Sequence, residues 1–130
     1  MTDRLIDLHT HSHHSDGALA PGALVELAAR RGVALLALTD HDTLAGCDEA
    51  ARACAHHGID FVRGVELTAQ WRGREIHVVG LGVGDSPLLD DYLGRVRALR
   101  RERVARIGSR LAADRAFAGR DVAAGVLAGD

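Results

Sequence analysis

One continuous apolar run limits the folds open to this chain more than any other feature. The run is VALLALT, residues 33–39, and it follows a segment with helical periodicity. A strand that is apolar at every position must be covered on both faces, as in a parallel sheet flanked by helices. In the preceding segment, PGALVELAARRG, Pro21 suits a first helical turn and Gly32 suits a C-terminal cap. The run therefore predicts an α/β fold with a mainly parallel sheet or barrel.

The other segments extend this pattern to the order strand, helix, strand, helix, strand, strand, long helix. RLIDLH is the first strand, and the second helix is predicted to begin with Asp42 or Thr43 as its N-cap. IDFVRGVELTAQW and REIHVVGLGVG are the next two strands. Ser86 and Pro87 then open a long helix with a rough apolar stripe. Its seven arginines, from Arg95 to Arg110, form either a solvated face or a surface for an anionic ligand such as RNA.

The two residues between the last two strands, Arg72-Gly73, predict an antiparallel hairpin. With that loop, Thr68 faces His77 and Glu66 lies diagonally from His77, at roughly 7 to 8 Å between backbones. Both side chains can then reach a shared ion. A shift of one residue in the register would place them on opposite faces, so the inference depends on the loop.

Composition and charge exclude several classes of partner. The chain has 130 residues, 47% of them apolar, which suffices for one modest core. Its net charge of −2 provides no general attraction to double-stranded DNA or to membranes. The sequence shows neither a signal-peptide pattern nor a segment of transmembrane length. Cys47 and Cys54 lie about 10.5 Å apart along one helix and cannot bridge, so we expect reduced thiols and a cytoplasmic protein.

Three separate regions bring metal-capable side chains to the carboxyl ends of the predicted strands. Histidines alternate at the end of the first strand, the second strand ends in TDHD, and an acidic residue interrupts the third strand. In a parallel sheet these ends share one edge, where ligands collect. The candidate ligands are His9, His11, Asp16, His41, Glu66 and His77. Asp7 and Asp40 are candidates for supporting the ligands, and His14 and Arg63 for contacting substrate.

Imidazole and carboxylate ligands without thiolate are typical of a catalytic centre for manganese, zinc or iron. Six groups exceed the needs of one ion, so the sequence predicts two to three divalent ions, with manganese as the first choice. A carboxylate such as Glu66 can bridge neighbouring ions. The chemistry that such a cluster favours is hydrolysis of a phosphate ester by a metal-bridged hydroxide.

The motifs DLHTHSHHSDG, TDHD, GVELT and HVVGLG resemble those of the polymerase and histidinol phosphatase (PHP) superfamily over residues 5–84. The resemblance implies a distorted (β/α)7 barrel, with residues 1–85 as the N-terminal half of the metal-binding barrel. Residues 86–130 would then be the long arginine-rich helix and the start of an incomplete following segment. By position, the resemblance assigns His9, His11 and Glu66 to one ion, Asp16 and His41 to a second, and Glu66 with His77 to a third.

Within that superfamily, the motifs are most similar to those of small bacterial phosphoesterases. These remove the 3′-phosphate from nucleoside 3′,5′-bisphosphates and act as 5′ to 3′ exoribonucleases, which implies a nucleotide or short RNA as substrate. The superfamily completes its site with a later histidine and an Asp-x-His, whereas no histidine follows His77. The chain therefore reads as the N-terminal portion of a longer protein.

Three alternatives to this function stay open. One is a phosphatase of histidinol phosphate or another small molecule, and a second is a metal-binding module without turnover. The third is a metal amidohydrolase, which also begins its barrel with H-x-H. That family often bridges two ions through a carboxylated lysine, and this sequence has no lysine.

Overall fold

The computed structural model describes residues 4–113, 121 and 123–124. Its elements are β1 (Leu5–Thr10), α1 (Pro21–Arg30), β2 (Val33–Leu38), α2 (Cys47–His57), β3 (Asp60–Trp71), β4 (Arg74–Leu81) and α3 (Pro87–Ala112). The predicted order of strands and helices is therefore confirmed. The chain divides into two compact units, Met1–Asp85 and Ser86–Asp130.

The first unit is built on a four-stranded sheet in the order β1-β2-β3-β4. β2 is parallel to both of its neighbours, and β3 pairs with β4 in the antiparallel sense. The central place of β2 explains why its sequence is apolar throughout. The core of this unit is formed by residues of β2, of the helices α1 and α2, and of the segment that follows α2. Its buried members are Val25, Ala28, Val33, Leu36, Leu38, Ala50, Cys54 and Ile59.

The hairpin between β3 and β4 has the predicted loop and register. Arg72 and Gly73 both have positive φ, at 48° and 75°, as a type I′ turn requires. Thr68 pairs with His77, and Glu66 pairs with Val79. Because side chains alternate along a strand, this register places Glu66, Thr68 and His77 on the same face of the sheet.

The predicted start of the second helix is wrong. α2 begins at Cys47 with Gly46 in the N-cap position, not at Asp42 or Thr43. Asp42 has a φ of 52°, in the left-handed region, and its carboxylate accepts hydrogen bonds from Thr68 instead of from a helix N-terminus. The segment between β2 and α2 is therefore a longer connection than its sequence pattern indicates.

In the second unit, α3 begins as predicted. The side chain of Ser86 accepts a hydrogen bond from the backbone N–H of Leu89 at 3.4 Å, and Pro87 occupies the first turn. Leu93 is buried, whereas Leu99 and Ile107, also in the predicted stripe, are exposed. None of the helices in the described part of the chain is long and apolar enough to span a membrane.

Candidate metal centre

The candidate ligands meet where the carboxyl ends of β1 and β2 adjoin the β3–β4 hairpin. His9 lies in β1 and His11 follows its end, while His41 follows β2. His41 forms an isolated parallel bridge with Glu66, which continues the pairing of β2 with β3 beyond the end of β2. His77 enters from β4 through the hairpin register.

Glu66 is the centre of this cluster. The Oε2 atom of Glu66 lies 2.9 Å from His9 Nε2 and 3.1 Å from His11 Nε2. The same oxygen is 3.7 Å from His41 Nε2, and Oε1 is 3.5 Å from His77 Nδ1. The residue is only 7% exposed, so its carboxylate is held among four imidazoles with little access to solvent.

Asp16 closes the cluster from the loop that follows β1. Its Oδ1 lies 3.3 Å from His11 Nδ1, and its Oδ2 lies 3.6 Å from His41 Nε2. The carbonyl oxygen of Ser12 folds the loop back by accepting hydrogen bonds from the backbone N–H groups of Ser15 and Gly17. Asp16 itself is exposed, so its carboxylate is open to solvent.

Each of the six predicted ligands belongs to at least one group of three that could hold a metal ion. In each group the ligand atoms lie within 4.8 Å of one another. The groups are His9, His11 and Glu66; His11, Asp16 and His41; and His41, Glu66 and His77. Successive groups share members, since His11, His41 and Glu66 each belong to two of them, so the histidine cluster is consistent with metal binding.

The electrostatic surroundings of Glu66 favour an ionised carboxylate, which is the form that binds a cation. Burial by itself raises the pKa of Glu66. The hydrogen bond with His9 and the charges of His41, His9 and His11 more than offset this, so the pKa of Glu66 lies below its ordinary value.

The donor set also fits a divalent cation. The imidazole rings are close together, with centroids 5.1 Å apart for His9 and His11, 4.7 Å for His11 and His41, and 4.9 Å for His41 and His77. An imidazole binds a metal ion through an unprotonated ring nitrogen, and rings this close together can share cations. His41 Nδ1 is buried and has no hydrogen-bond partner among the described residues. Nitrogen and carboxylate oxygen ligands suit manganese, zinc or iron.

The two residues predicted to support the ligands, Asp40 and Asp7, differ in their burial and in their hydrogen bonds. Asp40 is buried and accepts hydrogen bonds from the backbone and hydroxyl of Ser12, both at 2.6 Å, and from the hydroxyl of Ser15 at 2.7 Å. Ser15 in turn contacts His11 Nδ1 at 3.3 Å, so Asp40 is connected to this candidate ligand through the loop. Asp7 is exposed and accepts a long hydrogen bond, 3.4 Å, from the backbone N–H of His9.

Neither residue predicted to contact substrate belongs to the cluster. His14 is exposed, and its ring packs edge-on against His13 with centroids 4.7 Å apart. Arg63 lies an odd number of positions from Glu66 and therefore faces the opposite side of β3. Its guanidinium pairs with Asp85 at 2.6 Å, and this hydrogen bond raises the pKa of Arg63. The position of Arg63 gives no support to a substrate contact.

The sequence-based prediction missed two contacts at the site. Glu75 Oε1 lies 3.5 Å from His77 Nε2, and the spacing of these residues along β4 could have indicated it, since side chains two apart share a face. Asp42 binds Thr68 through both carboxylate oxygens, at 2.7 Å each. No local signal distinguishes that role from helix capping.

Comparison with known proteins relates this arrangement to a family. The model of the PHP domain matches residues 7–112. A 3′,5′-nucleoside bisphosphate phosphatase of Chromobacterium violaceum is 48% identical over 109 residues, which are 83% of this chain and 38% of that protein. A 5′-3′ exoribonuclease of Haemophilus influenzae is 47% identical over 106 residues, or 81% of this chain and 39% of that protein. The chain thus spans about two fifths of the length of these relatives.

Solved structures confirm the predicted fold class. A chain from Bifidobacterium adolescentis described as a metal-dependent phosphoesterase superposes with a TM-score of 0.80 and 34% identity, covering 86% of this chain and 40% of that one. A structure from Chromobacterium violaceum described as an amidohydrolase with bound sulfate gives a TM-score of 0.77 and 48% identity, covering 80% of this chain and 37% of that one. The sheet and its helices therefore match part of a PHP fold.

Proposed function

The chain belongs to the PHP domain family, and we propose that it acts as a metal-dependent phosphoric ester hydrolase on nucleotides. The observation that carries this proposal is the shared position of Glu66, whose carboxylate lies within 3.7 Å of nitrogen atoms from four histidines. A buried carboxylate with that many imidazole neighbours suits a bridging ligand between cations better than a structural ion pair.

The proposed ligands are the six residues of the three overlapping groups. His9, His11 and Glu66 would hold one ion, Asp16 and His41 a second, and Glu66 with His77 a third. His11 and His41 lie between groups and can contribute to two of them. Manganese is the proposed metal, with zinc or iron as the alternatives that the same donor chemistry allows.

When bound, divalent ions would lower the pKa of water and neutralise charge on phosphoryl oxygens. The residues of this chain provide the arrangement for that chemistry. The pKa of Glu66 lies below its ordinary value, so the carboxylate is ionised at neutral pH despite its burial, and the histidines present their Nε2 or Nδ1 atoms towards it. Asp16 is the ligand with the greatest exposure to solvent, with 68% of its side chain accessible, and so it marks the side from which a substrate can approach.

The proposed substrates are nucleoside 3′,5′-bisphosphates and short RNA degraded from the 5′ end. Support comes from the two relatives named as a bisphosphate phosphatase and an exoribonuclease. Other phosphatase substrates would use the same ligands, so the substrate rests on the relatives and not on the metal centre.

The division of the chain is also a proposal. Residues 1–85 would be the metal-binding part of the barrel, and residues 86–130 the arginine-rich helix and the start of a following segment. The two compact units have the same boundary. Both cysteines are free and buried, which supports a reducing compartment, and we place the protein in the cytoplasm.

The test is to compare wild type with Glu66→Gln and with a matched surface variant, Glu26→Gln. Glu26 pairs with Arg30 on the exposed side of α1, away from the metal-capable groups. Metal content is measured by elemental analysis after loading with Mn²⁺, and phosphate release is measured with adenosine 3′,5′-bisphosphate.

We expect two to three ions per chain in wild type and Glu26→Gln, together with phosphate release. Glu66→Gln should lose at least one ion and release no phosphate, because an amide oxygen is a weaker bridging ligand than a carboxylate. Full activity in Glu66→Gln would refute the proposed role of the carboxylate. Metal binding without phosphate release in wild type would instead support a metal-binding module without turnover.

A further inference from the structure

Two buried carboxylates flank His41 in the sequence, yet they bind different parts of the fold. Asp40 is 2% exposed and Asp42 is 1% exposed. Asp40 reaches back to Ser12 and Ser15 in the loop after β1. Asp42 reaches forward to β3, and neither residue belongs to a metal-capable group found in the described part of the chain.

Both oxygens of Asp42 bind the same residue. Oδ1 accepts a hydrogen bond from the backbone N–H of Thr68, and Oδ2 accepts one from the hydroxyl of Thr68, each at 2.7 Å. Hydrogen bonds to a carboxylate are about twice as strong as those between neutral groups. The connection after β2 is thereby fastened to β3 two residues beyond Glu66.

The backbone fastens the same connection at Glu66. The N–H of Asp42 donates to the carbonyl oxygen of Glu66 at 3.0 Å, and the N–H of Glu66 donates to the carbonyl oxygen of Asp40 at 3.1 Å. His41 lies between these two hydrogen bonds. Its distance from Glu66 therefore depends on how firmly the connection is held against β3.

Thr68 extends this support to the third member of the same metal group, because it pairs directly with His77 across the hairpin. Asp42 thus acts on the group of His41, Glu66 and His77. We propose that Asp42 is a positioning residue, not a ligand, which fixes the geometry of this group for metal binding. The inference rests on the proposed metal centre and assigns to Asp42 a role separate from that of Asp40, which holds the loop of His11 and Asp16.

Variants of Asp42 must separate the effect of removing its carboxylate from the effect of changing its backbone conformation. A φ of 52° favours Gly, Asn and Asp and disfavours most other residues. Asp42→Gly tolerates that φ and removes the carboxylate. Asp42→Asn tolerates it and keeps one oxygen for the Thr68 N–H, while its amide group can donate to the Thr68 hydroxyl. Thr68→Val replaces the hydroxyl group with a methyl group, whereas Thr68→Ser retains the hydroxyl group.

The experiment titrates each purified protein with Co²⁺ alone and follows the visible absorption bands of the bound ion. Asp42→Gly should weaken binding at one class of site by about 10- to 100-fold, the usual effect of removing a residue that supports a ligand. Its Co²⁺ spectrum should also change, because the ligand geometry is less fixed. Thr68→Val should show a smaller loss, whereas Asp42→Asn and Thr68→Ser should remain close to wild type.

A second measurement uses the metal-free proteins and does not depend on binding. The ring nitrogen signals of His41 and His77 in ¹⁵N NMR spectra should shift in Asp42→Gly, while those of His9, held on β1, should not. Circular dichroism checks that each variant is folded. If Asp42→Gly fails to fold, the comparison of Thr68→Val with Thr68→Ser tests the same hydrogen bond.

The outcomes separate this inference from the proposed function. Wild-type affinity and spectrum in both Asp42→Gly and Thr68→Val would overturn the positioning role and leave the metal centre intact. Absence of Co²⁺ binding in wild type would overturn the metal centre, and with it the role of Asp42. Loss in Asp42→Gly with retention in Asp42→Asn supports the proposal, since a residue needed only for its φ would be replaced fully by glycine.

Discussion

Substitution of Gly17 by alanine should disturb both the stability of the first unit and its metal centre. A Cβ atom on Gly17 would collide with the carbonyl group of His11 and would lie 2.8 Å from the backbone N of Ser12. These are backbone atoms, which cannot move aside as a flexible side chain can. The loop from Ser12 to Gly17 must therefore open to accept the methyl group.

The magnitude follows from the hydrogen bonds that close the loop. Ser12 O accepts from Gly17 N at 2.9 Å and from Ser15 N at 3.1 Å. Each such bond contributes about 1 kcal/mol, so their loss lowers the free energy of unfolding by about 2 kcal/mol. For a unit of this size, that corresponds to a fall in Tm of about 8 to 16 °C. Asp16 lies within the loop, so its contact with His11 should be lost as well.

Gly84→Ala is the matched control. No heavy atom of the described residues lies within 4 Å of a Cβ placed on Gly84, and neither glycine has a positive φ. Thermal unfolding followed by circular dichroism, in EDTA so that metal binding does not add stability, compares the two variants with wild type. A Tm for Gly17→Ala within about 2 °C of the Gly84→Ala value would refute the argument from steric contact.

Two further predictions concern the core of the first unit. Burial raises the pKa of the thiols of Cys47 and Cys54, and the thiolate is the form that reacts. Both should therefore react with Ellman's reagent far more slowly in native than in guanidine-denatured protein, and equal rates would contradict their burial. Leu36→Ala should lower the free energy of unfolding in a urea titration by about 2 to 5 kcal/mol because Leu36 is 1% exposed. Leu88 is 76% exposed, so Leu88→Ala should change the free energy of unfolding by under about 0.5 kcal/mol. Similar losses in both variants would contradict the assigned core.

The parts of the fold that could be predicted from sequence are those set by local periodicity. Alternation along β3 and β4, together with the Arg72-Gly73 loop, fixes which residues share a face, and the observed pairing of Thr68 with His77 follows. The convergence of His9, His11 and His41 follows from a second rule, that parallel strands present their carboxyl ends along one edge. Neither inference needs knowledge of contacts between distant side chains.

The start of α2 could not be predicted because the same sequence signal is compatible with a helix N-cap and with a contact to a distant residue. Asp42 and Thr43 are typical N-cap residues, and the sequence after them is compatible with a helix. In the structure the carboxylate of Asp42 is engaged by Thr68, 26 positions away, and the helix begins only at Cys47. A partner at that separation is set by the tertiary fold, so local propensity cannot reveal it.

For Arg63, the sequence predicts the face of β3 on which it lies but not the residue with which it pairs. Its charge makes it a reasonable candidate for contact with phosphate, but its position on β3 determines which face it occupies. An odd separation from Glu66 directs it away from the cluster, and Asp85, 22 residues later, provides its partner. Strand parity, the rule that places His77 beside Glu66, excludes Arg63 from that face on the sequence alone, whereas its pairing with Asp85 depends on the tertiary fold.

The roles proposed for the residues around His41 separate metal binding from positioning. His41 can reach Asp16 on one side and Glu66 on the other, so its place must be fixed relative to both β1 and β3. Asp40 supplies the link to the loop after β1 and Asp42 supplies the link to β3. Asp40 and Asp42 are two residues apart and would share a face in an extended strand, but Asp42 has a φ of 52° and leaves that conformation. The two carboxylates on either side of His41 therefore contact different elements. These hydrogen bonds account for the burial of two carboxylates that belong to none of the metal-capable groups found among the described residues.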